Sequence, residues 1–241
     1  GFLILFIHNV ASLIQAPNVV RSVAADLDDA ITRLYPTEAG RGPERVPEEE
    51  VQQQLQTLGR RSSVVLAASD GYVQAVDVER LIRLARRHDL VFRACYRPGQ
   101  FVTRDTPLLL VWGVKEVEPG LSRSLIRAFI TGARATPRQD VESAAAELAE
   151  VAVRALSPSL NDPFTAIHCI DHLGASLARL AQREPPSALR FDERNRLRLI
   201  LEGPAFGDVL EAAFNPIRGY SAGAVGVLIR LLERLVVIAR V

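Results

Sequence analysis

Val64-Val65-Leu66-Ala67-Ala68-Ser69-Asp70-Gly71-Tyr72-Val73-Gln74-Ala75-Val76 is the stretch where the chain changes period. Upstream of it, apolar residues recur every three or four positions. Here a β-prone run meets the turn dipeptide Asp70-Gly71 and continues as a strand of alternating character. Asp77 then caps a helix that carries Leu81, Ile82, Leu84 and Ala85 on one face. Residues 90–96 read as a strand, Arg97-Pro98-Gly99-Gln100 as a turn and Phe101-Val102 as a further β step. Pro107 opens the apolar run 108–112. Residues 64–114 therefore read as a small β-rich module interrupted by one helix.

Toward the N-terminus the period is helical. Val19, Val20, Val23, Leu27, Ile31 and Leu34 define an amphipathic helix over residues 17–35, with Asn18 as its N-cap and Pro36 as its stop. Residues 36–63 carry Gly40, Gly42, Pro43, Pro47 and the run Glu48-Glu49-Glu50, the composition of a linker with one short helix near 51–58. Gly1-Phe2-Leu3-Ile4-Leu5-Phe6-Ile7 is wholly apolar. It is too short to span a bilayer, which takes about 20 residues, and it lacks the positive charge that opens a signal peptide. A buried strand and the end of a membrane helix are the two readings. The absent initiator methionine, and the helical spacing of His8, Asn9, Ser12 and Gln15, favour the helix end. Residues 1–16 are thus expected to close a truncated transmembrane helix.

Downstream of Pro119-Gly120 the pattern predicts helices over 121–132, 138–156, 163–183, 206–218 and 222–240. Alternating Leu189, Phe191, Leu197, Leu199 and Leu201 point to a β-hairpin near 188–202. The last segment is apolar, but Arg230, Glu233 and Arg234 within one turn mark a packing helix rather than a span. The fold class expected is α+β and mostly helical. A barrel-sandwich-like β module would be followed by a helical bundle over 115–241.

With 48% apolar and 24% charged residues the chain is an ordinary packed protein, and its net charge of +1 is spread evenly. No segment carries the basic excess that nucleic-acid binding needs, so no nucleic-acid partner is expected. Two cysteines, Cys95 and Cys169, are too few for a disulfide framework; a single bridge is one reading, and reduced, buried thiols in a reducing compartment are the favoured one. Gly-rich phosphate loops, Cys-x-x-Cys pairs and nucleotide fingerprints are absent from the sequence, and no cofactor is implied.

Several blocks are distinctive together: Phe6-Ile7-His8-Asn9-Val10-Ala11; residues 69–75; Arg97-Pro98-Gly99-Gln100-Phe101-Val102; residues 132–140; and Ala155-Leu156-Ser157-Pro158-Ser159-Leu160-Asn161-Asp162-Pro163-Phe164-Thr165-Ala166. In these blocks nearly the whole chain resembles an uncharacterised bacterial family of predicted membrane proteins, domain of unknown function 2254. The resemblance implies membrane helices ahead of Gly1 and a cytoplasmic remainder at the bacterial inner membrane. It implies no activity. His8-Asn9 stands where the family commonly has two histidines, which argues against a paired-histidine site there. The β module is also similar to biotinyl and lipoyl carriers, but those need a lysine at a hairpin tip. The one lysine, Lys115, lies beyond the last strand.

Three sets of residues could carry chemistry. His168 and His172 stand one helical turn apart, with Asp171 and Cys169 between them, a spacing that lets two imidazoles share a metal. Arg134, Gln139, Asp140, Asn161, Asp162, Thr165 and Asp171 could gather as a polar ligand site at a helix N-terminus. The same groups serve equally as helix caps and ion pairs. Arg80, Arg83, Arg86 and Arg87 form a basic helix face suited to solvent or to anionic lipid. The reading that results is a non-enzymatic cytoplasmic domain, regulatory, scaffolding or ligand-sensing, held to the bilayer by N-terminal helices and able to form homo-oligomers. A membrane-bound enzyme using Arg134, Asp140, Asn161, Asp162 and Asp171, and a metal-binding domain using His168 and His172, are the rivals.

Overall fold

The computed structural model describes residues 2–35, 53, 56, 62–135 and 140–241, and of residues 2–16 the backbone alone. The fold is α+β, with seven helices and eight strands among the described residues. Contacts divide the chain into two compact units. One comprises residues 1–37, 140–184 and 204–241, the other residues 38–139 and 185–203. The linker expected over 36–63 falls almost wholly outside the described residues.

Helix α1 runs unbroken from Phe2 to Leu34 with Pro17 inside it, so the helix start predicted at Asn18 is not a start. The Asn18 amide oxygen accepts from the Arg21 guanidinium, whose Nε also donates to the Pro17 carbonyl at 3.3 Å. An interior proline costs about 3 kcal/mol. Burial of Val20, Ala24, Leu27 and Ile31, all at 3% exposure or less, offsets it along one stripe. Among the described residues no helix is long and apolar enough to cross a membrane.

Strands β1 (Ser62–Leu66) and β2 (Gly71–Val76) flank the Asp70-Gly71 turn but do not pair with each other. Gly71 sits at φ +154°, and a Cβ there would stand 3.1 Å from the Gly132 carbonyl oxygen, so the turn passes the chain from one sheet to another. The remaining strands are β3 (Val91–Ala94), β4 (Phe101–Val102), β5 (Pro107–Trp112), β6 (Phe129–Gly132), β7 (Leu189–Phe191) and β8 (Leu197–Ile200). One sheet has the order β1-β5-β3-β8-β7, with β3 and β8 parallel and the other neighbours antiparallel. The other is antiparallel in the order β4-β2-β6. Both sheets are open at their edges.

Helices α2 (Val78–His88) and α3 (Pro119–Ile126) join Val73, Val76, Phe92, Val102, Leu109 and Leu199 in the core of this unit through Leu81, Ala85 and Leu125. The helix predicted over 121–132 stops at Ile126 because the free edge of β2 offers residues 129–132 a ladder and buries Phe129. The hairpin at 188–202 is present, and its strand β8 pairs with β3, a partner about a hundred residues upstream.

The other unit packs α1 with α4 (Val141–Ala155), α5 (Pro163–Ala181), α6 (Phe206–Tyr220) and α7 (Val225–Ile238) around one core. Leu27, Ile31, Leu148, Ile170, Leu173, Leu177 and Ile217 are among its fully enclosed side chains. Ala144, Ala145, Ala149 and Ala152 keep α4 slim enough for its neighbours to approach. Polar bonds pin α1 to α5: Ser176 Oγ donates to Asp28 at 2.6 Å, Arg179 pairs with the same carboxylate, and Arg183 donates to the carbonyls of Ile31 and Tyr35.

Candidate functional site

The most distinctive polar segment is the short connection between α4 and α5. Its backbone winds through bonds from Leu160 N and Asn161 N to the Ser157 carbonyl and from Asp162 N to Ala155 O at 2.8 Å. Asn161 takes φ +46°, a left-handed position that asparagine tolerates. Asp162 is the N-cap of α5. One carboxylate oxygen accepts from Thr165 N at 3.1 Å and the other from Thr165 Oγ1 at 2.6 Å, with Pro163 in the first helical turn. Both Asp162 and Thr165 are thus occupied with each other.

Asp140 does the same for α4. It is 3% exposed, and its oxygens accept from Glu142 N at 3.1 Å, from Ser143 N at 2.9 Å and from the Ser143 hydroxyl. The two capping aspartates stand at opposite ends of one helix. Asp140 precedes its first residue, while Asp162 is bonded to Ala155, its last. Fifteen residues at 1.5 Å each put about 22 Å between them. They cannot act on one ligand, and a five-residue polar site that includes both does not assemble.

Asp171 lies two turns into α5. Its Oδ1 is 3.3 Å from Arg234 Nε and 3.6 Å from Arg230 Nε, both on α7, and Arg230 also reaches Glu233 at 3.1 Å. Gly174 makes room for this clamp, since a Cβ there would fall 2.6 Å from Arg234 Cδ and 2.9 Å from Arg234 Cβ. Arg134 belongs to the other unit, where it is exposed and its carbonyl accepts from Gln74 Nε2 at 2.9 Å. Gln139 lies outside the described residues. His168 and His172 are exposed, and among the described residues no three His, Cys, Asp or Glu side chains gather as metal ligands.

A cavity of about 450 Å³ opens beside the connection, lined by Leu156, Asn161, Phe164, Ile167, Tyr220 and Val227 among others. The side chains that line it are apolar apart from the Asn161 amide and the Tyr220 hydroxyl. A second depression, of about 550 Å³, is bounded by Arg80, Arg83, Leu84, Arg86 and Arg87 on α2. Two of those guanidiniums are engaged, Arg83 with Glu79 at 3.5 Å and Arg86 with Glu193 at 2.9 Å.

The most deeply buried charged cluster among the described residues lies outside all three of these sets. Arg198 on β8, 3% exposed, donates to Asp192 at 2.8 Å, to Asp89 at 2.9 Å and to the Leu90 carbonyl at 3.3 Å. Burial works most strongly against the Asp192 carboxylate, but Arg198 and the N–H groups of Arg196 and Arg194 outweigh it and hold its pKa below the ordinary value. The strand alternation that predicts β8 marks Arg198 as a polar, outward residue, and it is buried where the pairing of β8 with β3 brings it beside Asp89 and Leu90. Of the two cysteines, both free, Cys169 is buried and Cys95 is exposed, which corrects the expectation of two buried thiols. Burial pushes the Cys169 thiol up to about 12.

Residues 1–236 match a family described as Predicted membrane protein (DUF2254). Over 244 residues the chain is 30% identical to the uncharacterized protein Mb1321c of Mycobacterium bovis. It is likewise 30% identical over 244 residues to the uncharacterized protein Rv1290c of Mycobacterium tuberculosis. Each alignment takes in 99% of this chain and 45% of the relative, so the chain spans less than half the length of the curated relatives it matches. No solved structure matches it.

Proposed function

This chain belongs to the DUF2254 family of predicted membrane proteins, and from that premise we propose that it is a non-catalytic scaffolding domain on the cytoplasmic side of a multi-spanning bacterial inner-membrane protein. The observation that carries the non-catalytic part is the fate of the polar groups. Asp140 and Asp162 are spent on their own helix caps a helix length apart, and Asp171 on an ion-pair clamp. An acid–base or nucleophilic site needs such groups within hydrogen-bond reach of a common point. The membrane address draws its support from the family and from the apolar residues 2–7 at the head of α1.

Two measurements test this reading. In fractionated cells the protein should pellet with membranes after a carbonate wash, and protease should cut this region in inverted vesicles but not in intact spheroplasts. Recovery in the soluble fraction, or cleavage in spheroplasts, refutes the placement. Alanine replacements of Asp140, Asp162 and Asp171 should impair the protein in cells only to the extent that they lower its melting temperature. A variant that abolishes the cellular phenotype at undiminished stability would show that one of these carboxylates does chemistry.

A further inference from the structure

Helix α1 runs parallel to α5, and their pairing fixes the end of the helical unit from which the apolar head of α1 departs. Asp28 is bonded to Ser176, and Tyr35 to Arg183, both at a sequence separation of 148. Residue 16 is therefore level with Phe164, and residues 2–16 run on past the start of α5 for about 22 Å at 1.5 Å each. Pro17 stands where this extension leaves the bundle, and a kink there tilts the extension without turning it back.

The close of α4, the start of α5, the close of α6 and the start of α7 meet at the same end. Ala155 is bonded to Asp162, Phe164, Tyr220 and Val227 line one cavity, and the opposite end of α6 lies by Pro204, which accepts from Tyr35. The surface there is apolar and basic at once. Leu160, Phe164, Tyr220 and Val225 are 53%, 73%, 64% and 67% exposed. Arg21, Arg154 and Arg218 are exposed at this end too, and the Arg21 guanidinium reaches back to Pro17 and Asn18. Arg154 is shared with Glu150 one turn further in, and Asp162 is taken up by its own helix cap. The opposite end of the bundle carries Glu142, Glu184, Asp208 and Glu211.

Aromatic rings set among cations suit the interface of an anionic bilayer. Rings sit at headgroup level, arginine stems reach past apolar surface, and each arginine near an anionic leaflet contributes about 1 kcal/mol. The distances agree. With the hydrocarbon edge at Ile7, residues 8–16 put about 14 Å between it and the level of Phe164. The headgroup layer fills about 5–8 Å of that, and the connection of residues 157–161, which carries Leu160, reaches into the rest.

We infer that this end of the helical unit is a docking surface for the cytoplasmic leaflet, with Arg21, Arg154 and Arg218 on anionic lipid headgroups and Leu160, Phe164 and Tyr220 in the interfacial layer. Such docking rests on the membrane placement proposed above and adds the surface that meets the lipid. Helix α1 alone would leave the unit free to swing about Pro17; these contacts fix its attitude to the bilayer.

The test is fluorescence quenching in the protein carrying Cys95→Ser, reconstituted in phosphatidylcholine vesicles with about a quarter phosphatidylglycerol and a nitroxide on some headgroups. The buried Cys169 stays unlabelled. A fluorophore on Leu160→Cys or Tyr220→Cys should be quenched several-fold more than one on Gln182→Cys, the exposed C-cap of α5 about 27 Å from Phe164. Adding Arg154→Ser and Arg218→Ser should bring quenching at residue 160 down toward the level at 182, with an unchanged circular-dichroism melt reporting that the chain stays folded. Undiminished quenching in that variant overturns the role of the arginines. A fluorophore on Leu5→Cys reads the membrane placement separately. Quenching at 5, with 160 and 220 no more quenched than 182, overturns the docking and leaves the placement standing. Absence of quenching at all four positions overturns both.

Discussion

Replacing Arg198 by methionine should cost the β-containing unit about 3 kcal/mol, the lower end of what removing one partner of a buried ion pair costs. The magnitude follows from what is left behind. The Asp192 side chain is 1% exposed and loses its 2.8 Å partner on one oxygen. Its other oxygen keeps the N–H groups of Arg194 and Arg196 at 2.9 and 3.0 Å, and the Asp89 side chain, 67% exposed, is hydrated in any case. Hence the loss stays below the upper limit of about 5 kcal/mol. The pH dependence has a definite sign. In the native protein Asp192 has a folded pKa below its unfolded value of about 3.9, so its contribution is full above that value and fades as the pH falls below it. Without Arg198 only the two N–H groups oppose burial, so the folded pKa rises from its native position and acid relieves the orphaned charge. The gap between native and variant should therefore narrow from pH 7 toward pH 4. Urea titration followed by Trp112 reads this directly, because the single tryptophan lies on β5 and packs in the cluster of Val91 and Leu197. A gap under about 1 kcal/mol at pH 7, the scale of an exposed pair, or one that does not change with pH, would refute the argument.

Asp162→Ala should lower stability by about 1 kcal/mol through loss of the α5 cap, measured as a fall in the thermal midpoint at 222 nm. Gly174→Ala should cost about 1–3 kcal/mol, because the new methyl meets the near end of the Arg234 stem and α7 must move away from α5. In the native chain a disulfide-exchange reagent at pH 8 should titrate Cys95 alone, since Cys169 is buried and its thiol is held protonated, and both thiols should react in denaturant.

Much of the fold is legible in the sequence, where the deciding interaction is short-range. The caps Asp77 and Asp162 are set by residues within three positions, and the alternation at 189–201 gives the hairpin. What fails locally is decided by a distant partner. Residues 129–132 have the apolar spacing of a helix but become β6 because β2, more than fifty residues earlier, has a free edge. Pro17 and Asn18 carry every mark of a helix boundary, yet α1 continues because its stripe of Val20, Ala24, Leu27 and Ile31 has α4 and α5 to pack on.

The candidate site shows the same division more sharply. Each polar residue could be picked out from its type and neighbours, but whether they converge depends on the length of α4, which sets Asp140 and Asp162 at opposite ends. The residue count of that helix, at 1.5 Å per residue, already implies the separation. Arg198 could not have been found so. Nothing within its own strand distinguishes it from Arg190 or Arg196; its burial comes from the β3–β8 pairing and from Asp89, which the left-handed cap of α2 brings alongside. Grouping candidates by element length separates sites from caps in a chain such as this, whereas buried charge becomes visible only with the sheet order.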